Sequence, residues 1–141
     1  MSTKLSKRQF RIEVFKGVFL KEFYSGEDIN NQLDEMYNQD IQFEEIEISD
    51  KDATLIVNKC KDIFDNIDKI DELISTNLDK WTINRIGKVE LALLRVAVYE
   101  YKYDGLDAAI VINEAVDIAK MYGGDKSGSF INGVLAKIVK A

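Results

Sequence analysis

Residues 86–103 are apolar in nearly every direction around a helix, which limits the folds open to this chain more than any other feature. A helix with apolar side chains all round belongs at the centre of a fold. The valine-rich composition is also compatible with a buried strand, but a length of about 18 residues without a turn signal favours a helix. Gly105 closes the segment. We therefore expect other helices to pack around this one.

The start of a first helix near Lys7 is specified by two independent signals. Ser6 and Gln9 stand at the positions of a capping box, and Leu5 and Phe10 at those of a hydrophobic staple. Two adjoining apolar rows then run along the helix, and a Ser-Gly pair at 25–26 ends it. The rows contain Phe10, Val14 and Val18, and Ile12, Phe15, Phe19 and Phe23.

Helical periodicity predicts the remaining elements. A short second helix spans 28–37 with Ile29, Leu33 and Met36. Ser49 and Asp52 cap a long third helix, and a short fourth covers about 69–78. Asp107 caps a sixth, which ends before Gly123, and a seventh covers 127–139. The apolar rows are Ala53, Ile56, Val57, Cys60, Phe64 and Ile67 in the third helix, Ile112, Ala115, Val116 and Ala119 in the sixth, and Phe130, Val134 and Ile138 in the last.

These elements predict an all-α fold of about seven helices in two packed helical subdomains. We place the N-terminal subdomain at about 1–68 and the C-terminal one at about 69–141, within a single domain of 1–141. The length and the 46% apolar content are sufficient for a sizeable core. No internal repeat or linker is evident.

Composition argues against several classes of function. The chain has no histidine and no proline, so the commonest general base and metal ligand is missing. Its single cysteine, Cys60, lies on an apolar helix face and is interpreted as a buried, inert thiol in a reducing compartment. No apolar run is long enough to span a bilayer. We expect a cytoplasmic protein that is not an enzyme, with no catalytic residue, no cofactor, no metal and no membrane contact.

Charge is distributed unevenly along the chain. Residues 1–24 carry six basic and two acidic side chains, net +4, whereas residues 25–56 carry one basic and ten acidic ones, net −9. The whole chain has a net charge of −6. An acidic protein is not a general nucleic-acid binder, but a basic stripe can act locally if it projects away from the acidic segment.

Such a stripe begins the first helix. Lys4, Lys7, Arg8 and Arg11 follow one another at helical spacing and therefore share a face. The macrodipole disfavours cations in the first turn of a helix, so helix stability does not explain them. They are either a solvated terminus or a site for RNA, where lysine and arginine contact phosphates and arginine also stacks on bases.

Other polar features have structural interpretations. Arg95, Glu100, Asn113 and Glu114 stand among apolar neighbours and should find buried partners, since an unpaired buried charge is very costly. The glycine-rich stretch 123–128 is a turn between helices, because it lacks the spacing and the preceding strand of a phosphate loop. Gly133 is interpreted as allowing close helix approach.

Five blocks in order resemble one protein family. They are Trp81-Thr-Ile-Asn-Arg-Ile-Gly-Lys-Val-Glu90, Leu94-Arg95 with Tyr99-Glu100, Ile112-Asn113-Glu114-Ala115-Val116, Ala119-Lys120, and Phe130-Ile131-Asn132-Gly133-Val134-Leu135. This series resembles the NusB family of bacterial transcription antitermination factors. The likeness is strong over 81–135, moderate over 6–23 and weak over 25–75. The family's usual proline before the Ile-Asn-Glu block is replaced by Asp107-Ala108-Ala109.

The resemblance implies specific site residues. Lys7, Arg8 and Arg11, with Lys4 beside them, match the arginine-rich N-terminus that contacts RNA in the family. Phe19 falls where many members have a tyrosine of the RNA surface, although a core role is equally compatible with its row. The other residues implied at or near the RNA site are Tyr122, Lys126, which stands where an acidic residue is frequent, Phe130 and Asn132. Glu90 matches a position that contacts the protein partner.

The function implied is antitermination. Family members bind boxA-type single-stranded RNA together with the ribosomal protein NusE, and the assembly lets RNA polymerase pass terminators in ribosomal RNA operons. Two alternatives remain. One is a helical module that self-associates, since some members form homodimers. The other is a stand-alone relative of the RNA-targeting domain of ribosomal RNA methyltransferases, although this chain leaves no room for their catalytic domain.

Overall fold

The computed structural model describes residues 5–24, 27–38, 48–79 and 82–140, which contain helices and turns but no strand. The elements are α1 Lys7–Phe19, α2 Glu27–Asn38, α3 Asp50–Asp65, α4 Ile67–Thr76, α5 Lys88–Lys102, α6 Ala108–Gly123 and α7 Asp125–Lys140, with 3-10 turns at Leu20–Glu22 and Ile83–Arg85. The predicted all-α class with about seven helices is confirmed. The chain forms two compact units, residues 1–64 and 65–141.

The first helix begins where its capping signals predict. The Ser6 hydroxyl accepts a hydrogen bond from the Gln9 backbone N–H at 3.1 Å, and the Gln9 side-chain oxygen accepts one from the Ser6 N–H at 3.0 Å. This capping box satisfies donors that the first turn leaves without a partner inside the helix. The α-helix ends at Phe19, and the chain continues as a 3-10 turn to Glu22. The predicted Ser-Gly end at 25–26 lies outside the described residues.

Three helices build the core of the unit 1–64. Its buried apolar side chains are Val14, Phe15 and Val18 of α1, Ile29 and Leu33 of α2, and Ala53, Ile56, Val57, Cys60 and Ile63 of α3. The predicted row ending in Phe23 is wrong at its last member, which is 56% exposed. Phe23 follows the 3-10 turn, where its ring touches Phe19 but extends beyond the buried core. The side chain of Met36 lies outside the described part of the chain.

A glycine allows α1 and α3 to approach closely. A Cβ at Gly17 would lie 2.5 Å from the Cys60 sulfur and 3.0 Å from a methyl carbon of Leu33. The Cys60 thiol is fully buried and donates to the Val14 carbonyl at 3.5 Å. Desolvation by burial raises the pKa of Cys60 from 9.0 to about 12, since the thiolate loses its hydration. The predicted burial of this thiol is confirmed, and a raised pKa disfavours the reactive thiolate at neutral pH.

The boundary between the third and fourth helices differs from the prediction. The chain leaves helical geometry at Asn66, where φ is −107° and ψ is 12°, so Ile67 is the first residue of α4 and not part of a long third helix. Asparagine is a weak helix former, so it is a common residue where a helix is interrupted. The fourth helix accordingly ends two residues before the predicted position, at Thr76. The Asn77 amide donates to the Leu73 carbonyl at 2.8 Å and helps to close it.

The fifth helix is the centre of the unit 65–141, as its sequence predicts. Every side chain from Leu91 to Glu100 is buried, and α4, α6 and α7 all pack against α5. Gly105 takes a φ of 69° just after the helix, a conformation that costs glycine little. The predicted central helix, and its closure at Gly105, are confirmed.

The buried charge on α5 has the expected partner. The Arg95 guanidinium donates to both carboxylate oxygens of Asp71 on α4, at 2.9 Å and 2.8 Å. Glu100 is also buried, at 4% exposure. The burial prediction fails for Asn113, which is exposed, and Glu114 is only half-buried. Asn113 lies on the face of α6 opposite the buried Val111 and Ala115.

The last two helices form a tight pair. Asp107 caps α6 as predicted, with its carboxylate accepting from the Ala109 N–H at 3.1 Å. The buried face of α6 is rotated from the predicted one: Ala115 and Ala119 are buried, but Ile112 and Val116 are only half-buried. The buried side chains of the pair are Val111, Ala115, Ile118 and Ala119 of α6, and Ser127, Ile131, Val134, Leu135 and Ile138 of α7.

Candidate nucleic-acid interface

The basic stripe occupies the exposed start of α1. Lys7 and Arg8 are exposed and Arg11 is half-buried. Lys7 and Arg11 lie one helical turn apart with Arg8 beside them, so the three share a face. The first turn of α1 holds no acidic residue to offset their interaction with the helix dipole. Lys4 lies outside the described residues.

An aromatic ladder continues from this stripe towards the end of α1. The rings of Phe15 and Phe19 have centroids 6.2 Å apart, and those of Phe19 and Phe23 are 5.4 Å apart in an edge-to-face arrangement. Exposure rises along the ladder, because Phe15 is buried, Phe19 is half-buried and Phe23 is exposed. Phe19 therefore packs against the core residue Phe15 while part of its own surface remains in contact with solvent.

A second group of candidates lies where α6 meets α7. Tyr122 is 46% exposed in the last turn of α6, and Lys126 is exposed in the first turn of α7. The predicted glycine-rich turn is much shorter than expected, because α6 includes Gly123 and α7 starts at Asp125. Gly124 is the single residue between α6 and α7, and its φ of 88° lies in a region where glycine is favoured.

The last helix separates two of the candidates that the sequence grouped together. Lys126 and Phe130 are one turn apart and share a face, whereas Asn132 follows Phe130 by two residues and so points about 200° away. Phe130 is half-buried at one edge of the exposed surface of α7, and Asn132 is exposed towards the other edge. One stretch of RNA on this face would contact Lys126 and Phe130 but not Asn132.

Glu90 has a clear structural role in the first turn of α5. Both oxygens of its carboxylate would lie 2.9 Å from a Cβ placed on Gly87, so the side chain folds back over the start of the helix. A negative charge at this position interacts favourably with the helix dipole. Glu90 remains half-exposed, which leaves its carboxylate accessible to a partner.

Other kinds of site find no support in the part of the chain that the structure describes. Within it, no group of histidine, cysteine or acidic side chains is placed to hold a metal ion. Among the described helices, none is long and apolar enough to cross a membrane.

The family model for the NusB family matches residues 6–140. The chain belongs to the NusB family. It is 38% identical over 134 residues to the transcription antitermination protein NusB of Agathobacter rectalis, a match that covers 94% of this chain and 98% of that protein.

Two solved structures share the fold. T. maritima NusB superposes with a TM-score of 0.81 at 36% identity, covering 98% of this chain and 93% of that chain. A chain in the crystal structure of the antitermination factors NusB and NusE in complex with dsRNA superposes with a TM-score of 0.73 at 23% identity, covering 95% of this chain and 96% of that one. The second match concerns the fold alone.

Lys137, a basic residue of α7, was not predicted from the sequence as a candidate site residue. Lys137 falls on the same face as Lys126 and Phe130, because it follows them by three turns and two turns respectively. The resemblance drew attention to the block ending at Leu135, two residues earlier. Helical spacing from Lys126 was the signal that would have identified it.

Proposed function

We propose that this NusB family member is a transcription antitermination factor, which binds boxA-type single-stranded RNA together with the ribosomal protein NusE. The assembly acts with RNA polymerase in the cytoplasm and promotes transcription of ribosomal RNA operons. The protein contributes recruitment and no catalysis. The observation that carries the proposal is the basic face of Lys7, Arg8 and Arg11 at the start of a firmly capped α1.

The capping box matters because it positions cations in a turn that disfavours them. The hydrogen bonds between Ser6 and Gln9 stabilise the first turn, although three basic side chains lie in or next to it. Capping contributes about 1 kcal/mol, which offsets the unfavourable dipole interaction of one cation, about 0.3–1 kcal/mol, and part of the interaction of the others. A defined helix start thus presents the cations at fixed spacing to phosphates.

Charge arithmetic supports a second RNA-binding partner. Each phosphate neutralised on a single strand contributes roughly −0.7 to the slope of log affinity against log salt. Three contacts would give a slope of only about −2. Because the chain carries a net charge of −6, three phosphate contacts would bind RNA only weakly. NusE would supply further contacts to the RNA.

Aromatic residues in each of the two units are further proposed RNA contacts. The half-buried rings of Phe19 and Phe130 and the exposed ring of Tyr122 offer faces on which unstacked bases can pack. Stacking on aromatic side chains is tolerant of sequence and is worth about 1–3 kcal/mol per base. Lys126 adds a positive charge one turn from Phe130. Asn132 would contact RNA only if the strand passes over a second face of α7.

Glu90 is the proposed contact for NusE. Its carboxylate lies at the start of α5, partly exposed and held near Gly87. A carboxylate at the rim of an interface chiefly affects association rate and specificity. A basic residue of the partner would be its natural counterpart.

Charge substitution on α1 tests the proposal. Arg8→Gln combined with Arg11→Gln should weaken binding of a fluorescent boxA RNA and reduce the magnitude of the salt slope by about 1.4, which corresponds to two lost phosphate contacts. Binding to NusE should be unchanged. Lys51→Gln, at an exposed position of α3, is the control for a change of charge elsewhere. Equal effects of both changes would count against a local RNA site on α1.

A further inference from the structure

A lysine of α3 lies against the first half of α1 within the unit 1–64. The Lys59 ammonium nitrogen is 5.9 Å from the centre of the Phe10 ring, and both side chains are half-buried. A lysine within about 6 Å of an aromatic ring is attracted to the negative face of that ring. The contact therefore places a positive charge of α3 beside the turn of α1 that carries the basic face.

The packing of α3 against α1 explains why Lys59 reaches this turn. The next residue, Cys60, donates to the Val14 carbonyl at 3.5 Å, and its sulfur occupies the space beside Gly17. Because Cys60 is fully buried, α3 is held against α1 at this point, and Lys59 extends towards Phe10, one helical turn before Val14. The position of the ammonium thus follows from the core of the unit.

Helix geometry places Lys59 at one flank of the basic face. Successive residues turn by about 100° around an α-helix, so Lys7 and Arg11 are only about 40° apart. Arg8 lies on one side of these two residues, and Phe10 lies on the other side, about 60° from Lys7. The Lys59 ammonium above the Phe10 ring therefore continues the cationic face from α1 onto α3.

The surroundings of Lys59 are suited to a phosphate group. An ammonium has three N–H donors, so it can face the ring and also donate to a phosphate oxygen. On α1, the first turn has no acidic residue, and the carboxylate of Glu13 is buried and pairs with Lys16 at 3.1 Å. Cations that are clustered in this way attract phosphate more strongly than separated ones.

We propose that Lys59 is a phosphate contact of the RNA site, positioned by the Phe10 ring, and that the RNA strand crosses α1 from the side of Arg8 towards α3. The inference rests on the proposed function, because it adds a cation from a second helix to the face of Lys7, Arg8 and Arg11. Four phosphate contacts give a salt slope of about −2.8, compared with about −2 for three.

Removal of the charge tests the contact through the salt dependence of RNA binding. With NusE present, Lys59→Gln should reduce the magnitude of the salt slope for fluorescent boxA RNA by about 0.7, which corresponds to one phosphate. Lys59→Arg keeps the charge and should keep the slope. Lys21→Gln is the matched control, because the Lys21 nitrogen also lies 5.9 Å from the centre of a ring, that of Phe64, but beyond the end of α1. It should leave the slope unchanged.

Acetylation of lysines tests the contact in the native protein. Addition of boxA RNA to the complex with NusE should protect the Lys59 amine from a soluble acetylating reagent, as measured by mass spectrometry. Lys51, which is exposed on the same helix, should react equally with and without RNA. This measurement does not depend on the folding of any variant.

The possible outcomes separate the two proposals. An unchanged slope for Lys59→Gln, alongside the reduced slope of the Arg8 and Arg11 variant, would overturn the Lys59 contact and leave the proposed function intact. An equal reduction in Lys21→Gln would show an effect of net charge or lost packing, and would also overturn the contact. Protection of Lys59 by NusE alone would assign the amine to a protein interface instead and overturn it. Absence of RNA binding by the native protein with NusE would overturn both proposals.

Discussion

Arg95 of α5 and Asp71 of α4 form a bidentate ion pair, in which the guanidinium donates hydrogen bonds of 2.9 Å and 2.8 Å to the two carboxylate oxygens. The Arg95 side chain is only 8% exposed, while that of Asp71 is 27% exposed. The pair thus satisfies a buried cation on the central helix and ties α4 to α5. Its planar geometry also fixes the position of one helix along the other.

Removal of the carboxylate should destabilise the protein. Asp71→Ala leaves a buried guanidinium without its carboxylate, and we expect the free energy of unfolding to fall by about 2–3 kcal/mol in urea titration. Combining it with Arg95→Met removes the buried charge as well. The double variant should therefore be more stable than the sum of the single changes predicts. Strict additivity would mean that the two residues are not coupled.

The close approach of α1 and α3 predicts an asymmetry between two glycines. Gly17→Ala places a methyl group 2.5 Å from the Cys60 sulfur and should lower the free energy of unfolding by about 1–3 kcal/mol. Gly133→Ala, in open space, should raise it by up to about 1 kcal/mol. Urea titration of both variants makes the comparison. Equal effects would contradict the packing described for Gly17.

The buried thiol predicts a loss of stability at alkaline pH. The pKa of Cys60 is about 12 in the folded protein and 9.0 in the unfolded chain, so the unfolded state releases its proton first as pH rises. The contribution is constant below pH 9 and falls by about 1.4 kcal/mol per pH unit above it, until pH approaches 12. Urea titrations at pH 8 and pH 10 should show this fall relative to Cys60→Ala. An identical pH dependence in both proteins would contradict it.

Glu90 should show separate effects on folding and on partner binding. Glu90→Gln removes the charge that interacts with the α5 dipole, and should lower the free energy of unfolding by about 0.3–1 kcal/mol. If it also contacts NusE, affinity measured by calorimetry should fall. Glu72→Gln, exposed on α4, controls for the change in net charge. Unchanged affinity would restrict Glu90 to its role at the helix terminus.

The fold could be predicted from the sequence wherever local signals, such as helix caps, agree with the pattern of buried residues. The capping box of Ser6 and Gln9, the apolar segment that became α5 and the cap at Asp107 all specify their own position. The interruption at Asn66 was missed because the apolar row continues through it to Ile67. Phe23 was misplaced because its ring keeps the contact with Phe19 that the row predicts, although the row extends past the buried core there.

The candidate site was harder to predict from the sequence, because it depends on which helix faces remain exposed. Lys7, Arg8 and Arg11 could be grouped by spacing alone. Asn132 and Phe130 stand in one sequence block, yet helix geometry directs them to different edges of α7. The prediction that Gly133 allows close helix approach is wrong. The surroundings of Gly133 could not be predicted, because a glycine inside a helix is compatible with a close helix contact and with an open surface.

The measurement that tests the central claim most directly is fluorescence anisotropy of a labelled boxA RNA across a salt series, with this protein alone, NusE alone and both together. The proposed function predicts much tighter binding with both proteins than with either, and an affinity that falls as salt rises. If no mixture binds, the claim of shared RNA recognition is contradicted, and self-association of the helical module becomes the better explanation of the exposed surfaces.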